Sequence, residues 1–373
     1  MAAKKEITGV GLRLAEVQKQ LEKQFGKNVM LRGDSAQAVA LEIKRIPTGV
    51  FALDYATAGG LPMGRISLLS GGKGSGKSTV ALKVIGQWMQ ATADRKKPPL
   101  AAWMDEEGVF DPRWAAACGV DVARLLVCRP AFGEEAVDVF IKWLAVSEIE
   151  VLGFDSIAAM VPAVELESSA LDQQRGVGAR MTNKFMRQVP ALLNAWEREG
   201  APRTVILLNQ LRQKITGFGT AVPMTEPGGL GQIFSASIVI RSRRMKYEFE
   251  EEAHQKDATG PLYAVNTFKI EQSKVSPPHV EGEYRLGLRD AGLVHRAHAD
   301  GWEAFMLRAQ QTGYCHPVEK QGWGLGDASA PGALTARTKE ALFEIVRTDP
   351  AIYRAEQAKL IAWKFRLVPV TPA

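Results

Sequence analysis

Cysteine is scarce in this chain: three in 373 residues, at positions 118, 128 and 315. Neither the count nor the spacing suits a disulfide framework or a metal cluster, so the three read as reduced thiols of a cytosolic protein. Long apolar runs are missing as well. None approaches membrane-spanning length, and the start Met1-Ala2-Ala3-Lys4-Lys5-Glu6 carries charge with no apolar stretch behind it, which argues against membrane insertion and secretion. Neither sign of charge is in large excess. Lys and Arg number 47 against 41 Asp and Glu, a net +6, which permits a polyanionic partner without demanding one and fits a mildly basic soluble enzyme equally well. No internal repeat or low-complexity tract is present.

Glycine is concentrated where it carries chemistry. Gly71-Gly72-Lys73-Gly74-Ser75-Gly76-Lys77-Ser78 is a complete GxxxxGKS phosphate loop, preceded by apolar Ile66-Ser67-Leu68-Leu69 and followed by a helix-like run from Thr79 to Met89. A strand feeding a glycine-rich turn and then a helix N-terminus lets backbone N–H groups and the helix dipole close around a polyphosphate. Lys77 then reaches the β/γ-phosphates and Ser78 ligates Mg²⁺. A nucleoside triphosphatase needs a second metal-binding carboxylate at a neighbouring strand end, and Val151-Leu152-Gly153-Phe154-Asp155-Ser156 supplies Asp155, a Walker B pattern.

Hydrolysis also needs a group that orients water. Asp105, Glu106 and Glu107 follow the apolar strand Ala101 to Met104, so at least one carboxylate is expected at the carboxyl edge of the sheet, the alternative being a solvated acidic loop. Asn209-Gln210 ends a further strand at the same edge, where an amide can bond the γ-phosphate and report its loss to the loop beyond.

Around these motifs the pattern is alternating strand and helix, which implies βαβ units and a mainly parallel sheet. The expected strands are 66–70, 101–104, 125–128, 151–154, 205–208 and 237–241, each short and nearly all apolar, as strands buried on both faces are. Before them, Leu14, Val17, Leu21 and Phe25 make one apolar face of a helix from Leu12 to Phe25 that Gly26 stops; too short to stand alone, it should dock on its own core or on a neighbouring subunit. Arg175 to Glu199 reads as a helix in which Pro190 predicts a kink or break. Past about Asp290 the alternation fades, and Leu334 to Trp363 reads as a small helical tail.

Two stretches, Glu165 to Gln174 and Gln213 to Gly229, do not read as regular structure. The second follows Leu211-Arg212-Gln213-Lys214 and holds Phe218 between two glycines, a composition that suits single-stranded nucleic acid and equally suits a solvated loop. Arg175, Arg180, Lys184 and Arg187 add positive charge, as exposed helix faces often do.

In sum the chain resembles the bacterial RecA recombinases. The resemblance is carried by Glu22-Lys23-Gln24-Phe25-Gly26-Lys27, Ile46-Pro47-Thr48-Gly49, Gly59-Gly60-Leu61-Pro62-Met63-Gly64-Arg65, Asp105-Glu106-Glu107, Asp111-Pro112, Gly119-Val120-Asp121, Phe154-Asp155-Ser156-Ile157-Ala158-Ala159, Gly178-Ala179-Arg180-Met181 and Asn209-Gln210-Leu211-Arg212, in order from about Leu12 to Leu286. It implies an α/β, RecA-type P-loop ATPase core with a mainly parallel sheet over residues 46–290, an N-terminal oligomerisation helix and arm over 1–45, and a small C-terminal domain over 291–373. The implied activity is an ATP- and Mg²⁺-dependent filament on single-stranded DNA that pairs with duplex DNA and exchanges strands. A ring-forming motor on the same core, or an accessory DNA-binding filament with weak exchange, are the competing expectations.

By the same resemblance Glu107 stands for the catalytic glutamate and Gln210 for the γ-phosphate-sensing glutamine, with Lys77 the third catalytic residue. Residues 71 to 79 (Thr79 the last), Asp111 and Trp114 beside adenine, Asp155, and Lys274 from a neighbouring subunit would hold ATP. Ser78 and Asp155 would hold the metal. Arg175, Arg180, Arg187, Arg212, Lys214, Phe218, Gly228, Gly229, Arg243 and Arg244 lie where the family contacts or supports DNA. The chain departs from the family at Gly72-Lys73-Gly74, where Pro-Glu-Ser is usual, at Gln272 and Ile233, where interface lysines are usual, and at Arg175 in place of an apolar residue. Its last stretch, Ala358 to Ala373, has no acidic tail, and less restrained DNA loading is the expectation.

Overall fold

The computed structural model describes residues 2–31, 43–167, 176–213, 224–225, 227, 229, 231–249, 260–290, 296–318, 322–326 and 334–365. A nine-stranded sheet forms its centre. In chain order the strands are β1 (Ile66–Gly71), β2 (Leu100–Asp105), β3 (Leu125–Cys128), β4 (Ile149–Asp155), β5 (Thr204–Gln210), β6 (Ile238–Glu248), β7 (Tyr263–Ser273), β8 (Glu281–Gly287) and β9 (Ala299–Asp300). They lie in the order β9-β8-β7-β6-β1-β5-β4-β2-β3. Neighbours from β6 to β3 are parallel, and β7, β8 and β9 extend the sheet antiparallel.

Strand alternation divides the core in two. Val205 and Leu207 of β5 face one side of the sheet with Phe140, Phe154 and Phe185, whereas Ile206 and Leu208 face the other with Val84, Ile85 and Trp88. The second side is covered by α2 (Lys77–Ala91), and the first by α3 (Gly133–Leu144) and α4 (Val177–Arg198). Burial on both faces is why these strands are apolar throughout. β3 departs from that expectation: it closes the sheet at one edge and leaves Leu126 and Val127 exposed. β6 runs seven residues beyond its expected end at Arg241, and β7 and β8 were not expected at all.

Pro190 does not break α4, which is continuous from Val177 to Arg198. A proline there cannot donate to the carbonyl of Met186 four residues earlier. The Ser235 hydroxyl donates to that oxygen instead, at 3.2 Å, so the loss is made good from outside the helix.

The N-terminal helix α1 spans Ala2–Phe25, beginning earlier than expected, and Gly26 ends it with φ +90° and a backbone bond to Glu22 O. Leu14, Val17 and Phe25 of its apolar face remain exposed on the chain. At the other end, α5 (Trp302–Gln311), a small antiparallel sheet of β10 (Cys315–Val318), β11 (Gly322–Leu325) and β12 (Leu334–Ala336), and helices α6 (Lys339–Thr348) and α7 (Pro350–Phe365) share a third core with Phe51. The expected helical tail from Leu334 therefore opens with a strand. Thr338, accepting from Ala341 N, caps the start of its first helix.

Candidate functional site

The strand order creates the site. Because β5 lies between β1 and β4, with Gly71 in register with Gln210 and Asp105 with Asp155, the carboxyl ends of four strands bring Gly71, Gln210, Asp155 and Asp105 into one row. Ligands of open α/β sheets bind at that edge.

β1 turns into the phosphate loop at Gly71, where any Cβ would lie 2.2 Å from Ser242 O. Gly76 caps the N-terminus of α2 in a left-handed conformation, with no side chain on the first-turn N–H groups, so they remain available to an anion. Lys77 is buried and donates from Nζ to Gly71 O at 3.1 Å and Gly72 O at 2.8 Å. Burial lowers its pKa, an effect opposed by Asp155 and Glu107.

Ser78 Oγ donates to Asp155 Oδ2 at 2.7 Å, so the two expected metal ligands share one spot. Burial raises the Asp155 carboxyl to about 6, against the pull of the Ser78 bond. A cation would relieve that penalty. Among the described residues no group of three or more His, Cys, Asp or Glu side chains forms a cage. One hydroxyl and one carboxylate match Mg²⁺, which keeps waters and phosphate oxygens as its other ligands.

Of the three successive acids only Glu107 serves this edge. Its Oε1 accepts from Ser156 Oγ at 2.7 Å and from Gln210 Nε2 at 2.6 Å. Asp105 is turned to structure, accepting from the Val109 and Phe110 backbone N–H groups and from Arg129 Nε at 2.8 Å. The Glu106 carboxyl is pushed up to about 7 by burial and then by the nearby Glu135 and Asp105 charges.

Trp114 donates from Nε1 to Thr79 Oγ1 at 3.1 Å, which anchors the indole to the first turn of α2. Asp111 caps the short helix Pro112–Ala117 that carries this tryptophan. The guanidinium of Arg296 lies 5.0 Å from the centre of the indole ring. A cavity of about 300 Å³ runs from Gly74–Thr79 past Trp114 to Arg244, Tyr247, Asn266, Leu286 and Leu288. Asn266 Oδ1 and Ser75 Oγ are buried with no hydrogen-bond partner among the described residues. The glycine cradle, these orphaned polar atoms and the aromatic wall fit a nucleotide with its polyphosphate on the loop.

The residues expected at DNA divide into four groups. Arg180, Lys184 and Arg187 share one exposed stripe of α4. Arg175, Lys214, Phe218 and Gly228 lie outside the described residues, as does most of both irregular stretches; Glu165 falls in a short helix, Ala163–Glu167. Arg212 begins a short antiparallel ladder with Thr225, and Gly229 follows it. Asn209 Nδ2 and Gln232 Nε2 both donate to Pro227 O, tying this segment to the end of β5 beside Gln210. Arg243 and Arg244 are both exposed, and Arg244 lies over the phosphate loop. Lys274 donates to Phe234 O next to the amino end of β6, at the opposite edge of the sheet from its own phosphate loop.

Sequence reasoning missed Ser156, Asn266, Tyr247 and Arg296. Ser156 was within reach of it, since it directly follows Asp155; the others sit on strands or turns that no local motif marks.

Comparison with known proteins agrees with this geometry. The RecA N-terminal domain family matches residues 13–290. Protein RecA of Picosynechococcus sp. is 36% identical over 268 residues, covering 72% of this chain and 71% of that protein. Protein RecA of Kineococcus radiotolerans is 33% identical over 317 residues, 83% of this chain and 84% of the relative. That of Tropheryma whipplei is 35% identical over 314 residues, 83% and 66% respectively.

Proposed function

The chain belongs to the RecA family, and on that premise we propose that it is an ATP-dependent recombinase that assembles as a filament on single-stranded DNA, pairs it with homologous duplex and exchanges strands. The observation that carries the reading is Glu107 held between Ser156 and Gln210 beside the Ser78–Asp155 pair at the end of the phosphate loop.

Bound Mg²⁺ and ATP supply an electrophilic γ-phosphorus whose developing charge the loop amides and Lys77 stabilise. Glu107 orients the attacking water and takes its proton. Its two hydrogen bonds fix the carboxylate on the correct rotamer, and Gln210, sharing that oxygen, senses what happens at the site. The Asn209–Pro227–Gln232 contacts continue from Gln210 into the segment expected to hold DNA, so the state of the nucleotide can bias DNA affinity. The exposed stripe of Arg180, Lys184 and Arg187 adds backbone-phosphate attraction that falls steeply with salt.

Self-assembly is supported by two features. Leu14, Val17 and Phe25 of α1 are exposed on the single chain, which suits docking on an adjacent subunit. Lys274 sits at the far edge of the sheet from its own phosphate loop, a place that suits contact with a neighbour's nucleotide. Among the described residues no helix is long and apolar enough to cross a membrane.

The test is ATP hydrolysis with and without single-stranded DNA, with electron micrographs of the same samples. DNA-stimulated turnover by helical filaments supports the reading. Closed rings, or turnover indifferent to DNA, would transfer the protein to the motor or accessory class.

A further inference from the structure

We propose that Arg244 is a nucleotide contact in cis, reaching the polyphosphate from β6 of the same subunit; this deepens the ATP reading above and rests on it. β6 runs parallel to β1 with Ser242 in register with Gly71. Beyond that pair β1 bends into the phosphate loop while β6 continues to Glu248, so the overhang of β6 lies directly beside the loop.

Two details aim Arg244 inward. A Cβ placed on Gly74, whose φ is +71°, would lie 2.4 Å from Arg244 Nη1, so the guanidinium occupies the space that a side chain at position 74 would fill. The register with β7 then shifts between Arg244 and Lys246: Arg244 opposes Asn266 and Lys246 opposes Val265, which leaves Met245 as an extra residue. In a regular strand residues 244 and 247 face opposite sides; one extra residue puts them on the same side. Tyr247 accordingly lies under Arg244, with the guanidinium carbon 4.6 Å from the ring centre and Nη1 donating to its hydroxyl.

The charge of Arg244 is also uncommitted. Several nearby cations on β6 and β8 are paired, Arg241 with Glu271, Lys246 with Glu248, and Arg285 with Glu248 and Glu303, whereas Arg243 is exposed away from the cavity. Arg244 has no carboxylate partner among the described residues, although it lines the cavity together with the loop, Trp114 and buried Asn266. An arginine on an aromatic platform, with Nη1 on the tyrosine hydroxyl and no described carboxylate partner, suits a phosphate through its remaining N–H groups.

Arg244→Ala and Arg244→Lys should be compared with wild type in equilibrium binding of a fluorescent ATP analogue without DNA, in competition by inorganic tripolyphosphate, and in nucleotide-free binding of single-stranded DNA. The expected result for Arg244→Ala is about tenfold weaker binding of both ATP and tripolyphosphate, the loss of one charge-assisted contact, with nucleotide-free DNA affinity unchanged. The lysine variant should recover part of the loss. ATP affinity within about twofold of wild type, in a variant whose thermal unfolding matches wild type, would overturn the proposal, as would a loss confined to DNA binding. Lys77→Ala serves as the control for the parent reading: if wild type binds ATP no better than this variant, the nucleotide site itself fails, and the assignment of Arg244 fails with it for that separate reason.

Discussion

Replacing Glu107 by Gln isolates the carboxylate charge from its geometry. The amide oxygen of glutamine can accept the same two bonds, from Ser156 Oγ and Gln210 Nε2, so the side chain should keep its place. What changes is their strength. Charge-assisted bonds contribute about 1.5–3 kcal/mol net and neutral ones about 0.5–1.5, so two conversions alter folding stability by about 2 kcal/mol, which leaves the protein folded. Loss of a general base costs about 10²–10⁴ in rate, or roughly 3–5 kcal/mol on the barrier. Neither neighbour is set up to take over: Asp105 is committed to Arg129 and two backbone N–H groups, and Ser156 and Gln210 bond Glu107, not Glu106. Phosphate release with saturating single-stranded DNA should therefore fall by at least about a hundredfold, while ATP and DNA affinities stay close to wild type. A variant that turned over ATP at the wild-type rate would remove Glu107 from catalysis; one that also lost ATP binding would show that its charge shapes the pocket instead.

Lys77→Ala should abolish ATP-dependent DNA binding in a gel-shift assay, since its ammonium is buried against the loop carbonyls of Gly71 and Gly72, and undiminished binding would sink the phosphate-loop assignment. Asp54, fully buried, has its carboxyl raised by burial from 3.8 to about 7, despite the bond from Thr48 N at 2.7 Å and the charge of Lys83. Folding thus favours the protonated form, and the wild type loses stability as pH rises from about 4 through 7, by up to about 4 kcal/mol at about 1.4 kcal/mol per unit. Asp54→Asn should flatten the profile and be the more stable protein in denaturant titrations at pH 8, and parallel profiles would refute the argument. Gly153→Ala would place Cβ 2.4 Å from Trp103 Cε3 in the packed core, so it should cost about 1–3 kcal/mol by the same titration, with no loss indicating that the indole can move aside.

The phosphate loop and the Asp155 strand end were legible because each is a contiguous string whose chemistry depends on neighbours in sequence. The pairing of Glu107 with Gln210 joins residues 103 apart and exists only because β5 lies beside β4. The acids at 105–107 could be named as candidates, but which one served the site depended on Arg129 claiming Asp105 and on Ser156 and Gln210 bonding Glu107, partners distant in sequence. Edge position was invisible too: Leu125–Cys128 is as apolar as an interior strand, and a short run carries no record of how many neighbours it has. β7 and β8 were overlooked since Lys269, Glu271, Glu281 and Arg285 interrupt them, and such half-buried antiparallel strands alternate where parallel ones do not. Pro190 misled because its remedy, Ser235, sits in another element. The approach of Arg244 to the loop depends on a parallel register and the placing of Tyr247 beneath it on a bulge, neither of which a pattern of residue types encodes.

The glycines of the phosphate loop are unequal in their tolerance of change. Gly71 is closed off by the Ser242 carbonyl, Gly74 by the Arg244 guanidinium and Gly76 by the Tyr284 hydroxyl, each also holding a positive φ, whereas a Cβ on Gly72 would meet nothing within 4 Å. Sequence drift in this loop is thereby channelled: the second position can accept a side chain freely, the sixth and first cannot, and the fourth can do so only after Arg244 has moved or been lost. A descendant that places a side chain at position 74 should thus carry a compensating change at 244, the change at 244 coming first because the guanidinium otherwise fills that space.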